Sequence, residues 1–127
     1  MDGGSRGNPG PAAAAAVATD QDGNELAERN RFLGETTNNV AEYEGVLLAL
    51  ELAGELGATE VEVVNDSELV ARQIGGQYRV KQEHLKPLHQ RVMSALRAFD
   101  HWEVRSVRRE HNVRADELVN EALDAAR

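Results

Sequence analysis

Four acidic side chains stand where the chain changes character. Asp2 opens a glycine-rich segment, Glu42 sits one turn into a helical pattern, Asp66 follows a β-branched run, and Asp116 lies in the first turn of a last helix. In an open α/β sheet, strand ends and adjoining helix starts converge on one edge, where sites form. Four carboxylates gathered there repel one another unless divalent cations neutralise them. Oxygen donors with neither cysteine nor paired histidine suit Mg²⁺ or Mn²⁺. Two such ions about 4 Å apart can hold a phosphodiester, activate a water and stabilise the leaving oxygen. Spacing alone leaves a second reading open. The chain carries 22 acidic residues, any of which can be solvated surface, and Asp66 and Asp116 suit helix starts on dipole grounds alone.

The elements that must position these groups follow from pattern. Ala12 to Ala18 is small and apolar and reads as a buried strand, although five alanines equally suit a helix. Asp20-Gln21-Asp22-Gly23-Asn24 is a turn with Asp-Gly at its centre, so Glu25 to Leu33 is the polar return strand of a hairpin, near an edge. Asn38 to Leu56 reads as a helix, with Val40, Tyr43, Leu47, Leu50 and Leu56 at helical spacing, Thr37 or Asn38 as cap and Gly57 as stop. Val61, Val63 and Val64 mark a strand over Glu60 to Asn65. Asp66-Ser67 caps a short helix that ends before Gly75-Gly76, and a longer helix runs from about Gln82 to Phe99 with Pro87 in its first turns. Trp102, Val104 and Ser106-Val107 form a last strand, and Asn112 to Ala115 leads into a final helix. A hairpin followed by strand–helix alternation implies a mixed sheet with helices on its faces.

Composition bounds the possibilities. The 127 residues leave room for one domain, taken as 1–127, with one core. Absence of cysteine excludes disulfides, thiolate metal sites and a thiol nucleophile. No apolar run is long enough to span a bilayer and no leader is visible, so a soluble cytoplasmic monomer without membrane partners is the expectation. The formal charge of -8 argues against a polyanionic partner when taken alone. It fits an ordinary soluble surface or a salt-loving source, where the Debye length is about 3 Å at 1 M salt. Cations cluster locally all the same. Arg105, Arg108, Arg109 and Arg114 flank Asp116, and Arg79, Lys81 and Lys86 follow the Gly75-Gly76 turn. Phosphate contact and pairing with nearby acids are both open for them.

Four short stretches occur in order with compatible gaps: Asp2-Gly3-Gly4-Ser5-Arg6-Gly7-Asn8-Pro9-Gly10, Thr37-Asn38-Asn39-Val40-Ala41-Glu42-Tyr43, Asn65-Asp66-Ser67-Glu68, and Arg108-Arg109-Glu110-His111-Asn112-Val113-Arg114-Ala115-Asp116. Together they resemble type 1 ribonuclease H, particularly its short prokaryotic and archaeal forms, over essentially the whole chain. The resemblance implies an α/β fold with a five-stranded mixed sheet, three antiparallel strands then two parallel ones, and helices on both faces. It implies cleavage of the RNA strand of RNA–DNA hybrids, with two Mg²⁺ ions (or Mn²⁺) on Asp2, Glu42, Asp66 and Asp116, leaving 5′-phosphate and 3′-hydroxyl ends. Gly3, Gly4 and Ser5, with Glu42, would meet the ribose 2′-hydroxyl that separates RNA from DNA. Asn8, Asn38 and Asn39 match the family's groove-reading amides, and Thr37 a contact to a DNA phosphate.

The chain also departs from that pattern. Gln77-Tyr78-Arg79-Val80-Lys81 stands where larger members carry a basic helix, Glu68 replaces a glutamine found in some, and Ser106 replaces a loop histidine. His111, nearer Asp116, is the candidate proton shuttle in its place, or simply an exposed loop residue. Only Met1 precedes Asp2, so the first strand is expected to be truncated, with its amino group beside the carboxylates. A truncated strand that misplaces Asp2 would make a hybrid-binding module without cleavage, the principal alternative. A junction resolvase of the same fold and a plain acidic interaction domain are the others.

Overall fold

The alanine run is a strand because both of its faces are covered. The computed structural model describes residues 1–126, and in it Ala12–Ala16 lie buried in β2 (Gly10–Thr19). Alternate side chains of a strand point to opposite faces. Accordingly, Ala14 and Ala16 join the larger core, while Ala13 and Ala15 pack with Leu118, Val119 and Leu123 of the last helix. Methyl-sized side chains let a helix approach closely on each side.

Strand β1 (Asp2–Ser5) runs antiparallel to β2, with Asp2 opposite Ala15. Strand β3 (Glu25–Thr36) returns antiparallel on the other side and forms the expected polar edge, three residues longer than its sequence pattern suggests. The intervening turn closes on Asp20, whose Oδ1 accepts from the amides of Asp22 and Asn24, both at 2.9 Å. Helix α1 (Asn38–Glu55) follows, then β4 (Glu60–Asn65), α2 (Glu68–Ile74), α3 (Lys86–Leu96), β5 (His101–Ser106) and α4 (Val113–Ala125). Strands β4 and β5 pair in parallel, from Glu60 opposite His101 to Asn65 opposite Ser106.

Three antiparallel strands, two parallel strands and helices on both faces are the architecture that the sequence resemblance implies. The centre differs in one respect. The strands hydrogen-bond as a three-stranded and a two-stranded ladder rather than as one continuous five-stranded ladder. The four residues of β1 are all matched to β2, and the Met1 amino nitrogen, donating to the Val64 carbonyl at 2.8 Å, bridges to β4.

Helix α1 is buried on nearly all sides, packing on β1, β2, β3 and α3. Its core contacts come from Tyr43, Val46, Leu48, Leu50 and Leu52, whereas Leu56 is exposed beyond the helix end. The long helix expected from Gln82 to Phe99 is shorter. Glu83–Leu85 forms a 3₁₀ turn and α3 begins at Lys86. Pro87 lacks the N–H that would bond the Glu83 carbonyl, so the α-helical ladder cannot extend back past it.

Two glycines set how closely α1 meets β1. A Cβ on Gly3 would lie 2.0 Å from the Ala41 carbonyl oxygen, and one on Gly45 would lie 2.7 Å from the Asp2 carbonyl oxygen. Gly3→Ala must therefore push helix and strand apart. The expected result is a loss of about 3 kcal/mol in urea unfolding, the upper range for overpacking, with the carboxylates of the two elements separated. Gly4 differs, since its Cβ would meet only ordinary contacts at 3.8 Å.

Candidate active site

Each of the four carboxylates is placed by a different element. Asp2 begins β1, against α1 at Gly45. Glu42 lies near the start of α1, whose cap is Thr37, its Oγ1 accepting from the Val40 amide at 3.3 Å. Asp66 follows β4, between Asn65 and Ser67, and the Ser67 hydroxyl caps α2 by accepting from the Val70 amide at 3.3 Å. Asp116 lies in the first turn of α4. That helix is latched to β1 by Asn112, whose Nδ2 donates to the Met1 carbonyl at 2.7 Å, and to β3 by Asn30, whose Nδ2 donates to the Leu118 carbonyl at 2.9 Å.

The result is a tight acidic cluster. One carboxylate oxygen from each of Asp2, Glu42 and Asp66 lies within 4.8 Å of the others. Asp2 and Glu42 are 4% and 3% exposed. Asp116 is within hydrogen-bond reach of Asp2, on the same cavity. Burial first, then repulsion from Asp66 and Asp116, pushes the Asp2 carboxyl up to about 7. Burial, then repulsion from Asp2 and Asp66, pushes Glu42 up to about 9. Burial also lowers the pKa of the Met1 amino group, against the pull of Asp2, Glu42 and Asp66. Glu42 Oε2 is buried with no hydrogen-bond partner. An all-carboxylate donor set, a buried oxygen without a partner and carboxyls that hold protons for want of counter-charge fit a hard divalent cation. Asp2, at the start of the short first strand, lies within the cluster.

The cluster opens into a cavity of about 590 Å³ lined by Gly3, Gly4, Ser5, Asn38 and all four carboxylates. Asn8 reaches the cavity wall indirectly, its Oδ1 accepting from the Asn38 amide at 2.9 Å, while Asn38 Oδ1 accepts from the Ser5 amide at 3.3 Å. These bonds use amide oxygens and leave the Nδ2 donors for a ligand. Thr37, Asn39 and His111 are not among the lining residues. His111 is exposed on a 3₁₀ turn at Arg109–His111.

Arg6, Ser67 and Asn120 also line the cavity and had no signal of their own in the sequence. Arg6 is held by Asp124 at 2.8 Å and Asn120 at 3.2 Å. Of the cations near Asp116, Arg108 and Arg109 line the cavity, and Arg109 pairs with Asp66 at 3.5 Å. Arg114 is instead committed to Glu28, Glu117 and Glu121, Arg105 to Glu62, and Lys86 to Glu83. Among the described residues, Arg79 and Lys81 enter no ion pair. They line a second cavity with Gln77, Tyr78 and Gln82.

Comparison with known proteins bears on this geometry directly. Residues 1–122 match the family model described as reverse transcriptase-like. Ribonuclease HI of Halobacterium salinarum is 43% identical over 126 residues, covering 99% of this chain and 63% of the relative. The bifunctional protein Rv2228c of Mycobacterium tuberculosis is 44% identical over 126 residues, covering 98% of this chain and 35% of the relative. The chain thus spans less than two-thirds of the length of these curated relatives. Among solved structures, RNase H1 from the halophilic archaeon Halobacterium salinarum superposes with a TM-score of 0.95 at 43% identity, covering 98% of this chain and 94% of that one. LC11-RNase H1 in complex with an RNA/DNA hybrid gives 0.94 at 47% identity, covering 98% and 94%. No helix among the described residues is long and apolar enough to cross a membrane. With the fold shared at this identity across nearly the whole chain, the protein belongs to the type 1 ribonuclease H family.

Proposed function

We propose that this chain is a metal-dependent endoribonuclease that hydrolyses the RNA strand of RNA–DNA hybrids, leaving 5′-phosphate and 3′-hydroxyl ends. The observation that carries the reading is the meeting of Asp2, Glu42 and Asp66 within 4.8 Å, with one buried glutamate oxygen unpartnered. Asp2, Glu42, Asp66 and Asp116 are the residues that would hold two Mg²⁺ ions, for which Mn²⁺ can substitute. Bound there, the ions supply Lewis-acid stabilisation to the attacking and leaving oxygens of a phosphodiester.

The chain's own residues supply binding and orientation. Gly4 leaves room in the cavity wall, where a Cβ would fit against Asn38 and Val119 with only ordinary contacts at 3.8 Å. Ser5 lines the cavity, and its buried hydroxyl has no hydrogen-bond partner within the protein. Asn38, braced by Ser5 and Asn8, presents its Nδ2 to the groove, with Thr37 and Asn39 beside it on the α1 start. Arg108 and Arg109 place positive charge on the rim for the phosphate backbone. These are contacts to sugar, phosphate and groove edge, so little base-sequence preference follows. His111, exposed on the turn that follows the cavity-lining Arg108 and Arg109, is the candidate for exchanging protons with solvent or easing product departure. The hybrid bound in the LC11-RNase H1 complex is a guide to the ligand.

The deciding experiment compares matched RNA–DNA, RNA–RNA and DNA–DNA duplexes under Mg²⁺ or Mn²⁺. Cleavage of only the RNA strand of the hybrid, abolished by chelator, is expected. Hybrid binding without cleavage in both metals would favour the binding module, and preferential cutting of branched DNA would favour a resolvase. A companion variant, Gly4→Ala, is expected to melt within 2–3 °C of wild type, roughly 0.5 kcal/mol. Its KM for hybrid should rise several-fold through the methyl group added to the cavity wall.

A further inference from the structure

We propose that Asn65 is a positioning residue for Asp66, an inference that rests on the metal-site reading above. Asn65 ends β4 and is 0% exposed. It shares a strand face with Val63, 3% exposed, which is a core position. An apolar side chain is the ordinary occupant of such a place. Asn65 instead brings a carboxamide whose Nδ2 is buried with no partner, a standing cost to folding.

The other end of that carboxamide explains its presence. Asn65 Oδ1 accepts from the Ser67 amide at 2.7 Å, closing a turn around the one residue between them, Asp66. The backbone on the near side is fixed as well, since the Asn65 carbonyl accepts from the Val107 amide at 2.7 Å, just past β5. On the far side, the Ser67 hydroxyl caps α2. Asp66 is thus clamped between β5 and α2, and the Asn65 amide oxygen is the side-chain half of the clamp. Asp66 also pairs with an exposed guanidinium, Arg109 at 3.5 Å. A backbone held on both sides keeps its carboxylate aimed at Asp2 and Glu42 when that pairing competes.

Asn65→Leu tests this, because it keeps the branched shape of the side chain, removes the unpartnered donor and deletes the acceptor. Three measurements are read on the full chain: thermal midpoint, exchange rate of the Ser67 amide by NMR, and Mg²⁺ affinity by titration calorimetry on the free protein. The expected result is a midpoint equal to or above wild type, Ser67 exchange accelerated at least tenfold, and Mg²⁺ affinity weakened about tenfold, in line with the sensitivity of sites to small misplacements. Cleavage should need correspondingly more Mg²⁺, with KM for hybrid unchanged. Asn65→Thr, whose hydroxyl can accept from Ser67, should recover most of the affinity. Ser67 exchange and Mg²⁺ affinity both within twofold of wild type in Asn65→Leu would overturn the proposal. If the leucine variant does not fold, Asn65→Ala read by the same two measurements decides it in the same way. Asp66→Asn separates the two levels: Mg²⁺ affinity unchanged in that variant would overturn the metal-site reading itself, and this inference with it.

Discussion

Asp66→Asn is expected to lower hybrid cleavage by at least about a thousandfold, equivalent to roughly 4 kcal/mol of barrier, while the protein stays folded. The amide matches the carboxylate in shape but is a poor ligand for a hard cation. Asp66 is the member of the close trio reached most easily without disturbing packing, its side chain 12% exposed where Asp2 and Glu42 are buried. Its charge raises the proton affinity of both neighbours, so neutralising it relieves repulsion in the metal-free protein. The thermal midpoint without metal should be unchanged or higher. Arg109 loses its partner, but it is 78% exposed, and surface pairs of this kind contribute little. A cleavage assay run beside a thermal melt checks both halves. Activity within tenfold of wild type would remove Asp66 from the metal site.

How much of this was legible in the sequence depended on whether the cause was local. Thr37 as a cap, the Asp20–Asn24 turn and the β-branched run at β4 are set by neighbours along the chain, and they appear as read. The four carboxylates stand near element boundaries, which carry sequence signals, but it was the resemblance of the four short stretches to a known family that singled them out among 22 acidic residues. The burial of Asp2 and Glu42 could not be read. It arises from Gly3 and Gly45 letting α1 close on β1, and glycine in a loop-like sequence gives no sign that a helix carbonyl fills its Cβ space. The Cβ space of Gly3 is filled by Ala41, while a Cβ on Gly4 would make only ordinary contacts at 3.8 Å. Arg114 could not be assigned for a similar reason. The sequence left phosphate contact and ion pairing both open for it, and the choice is made by Glu28, which engages it at 2.6 Å from β3, 86 positions away. Asn65 was read as the end of a strand and nothing more, since only the fold reveals that its amide is sealed in.

The largest effect of solution conditions should be a coupling between pH, stability and divalent cation. In the metal-free protein, Asp2 is raised from 3.8 to about 7 and Glu42 from 4.5 to about 9. Between the unfolded and folded values, the native state holds protons that the unfolded chain has released. Stability therefore falls as pH rises. The slope begins near pH 4 to 5, where the unfolded carboxyls ionise, and continues through the folded values toward pH 9. Mg²⁺ bound to the native cluster replaces those protons with a counter-charge and stabilises by mass action. At pH 5 it must displace protons from both carboxyls and does little; at pH 8 Asp2 is mostly ionised and Glu42 yields its proton more readily. Melts at pH 5 and pH 8, with and without saturating Mg²⁺, should show a metal-induced rise greater at pH 8 by on the order of 5 °C, about 1 kcal/mol or slightly more. Glu42→Gln, uncharged at every pH, should lower the metal-free slope to the part that Asp2 contributes and shrink the Mg²⁺ response together, because the same buried carboxyl takes part in both. A metal-free midpoint that does not fall between pH 5 and pH 8, with an equal Mg²⁺ effect at each, would mean that the cluster is not the proton-holding, cation-accepting centre its burial implies.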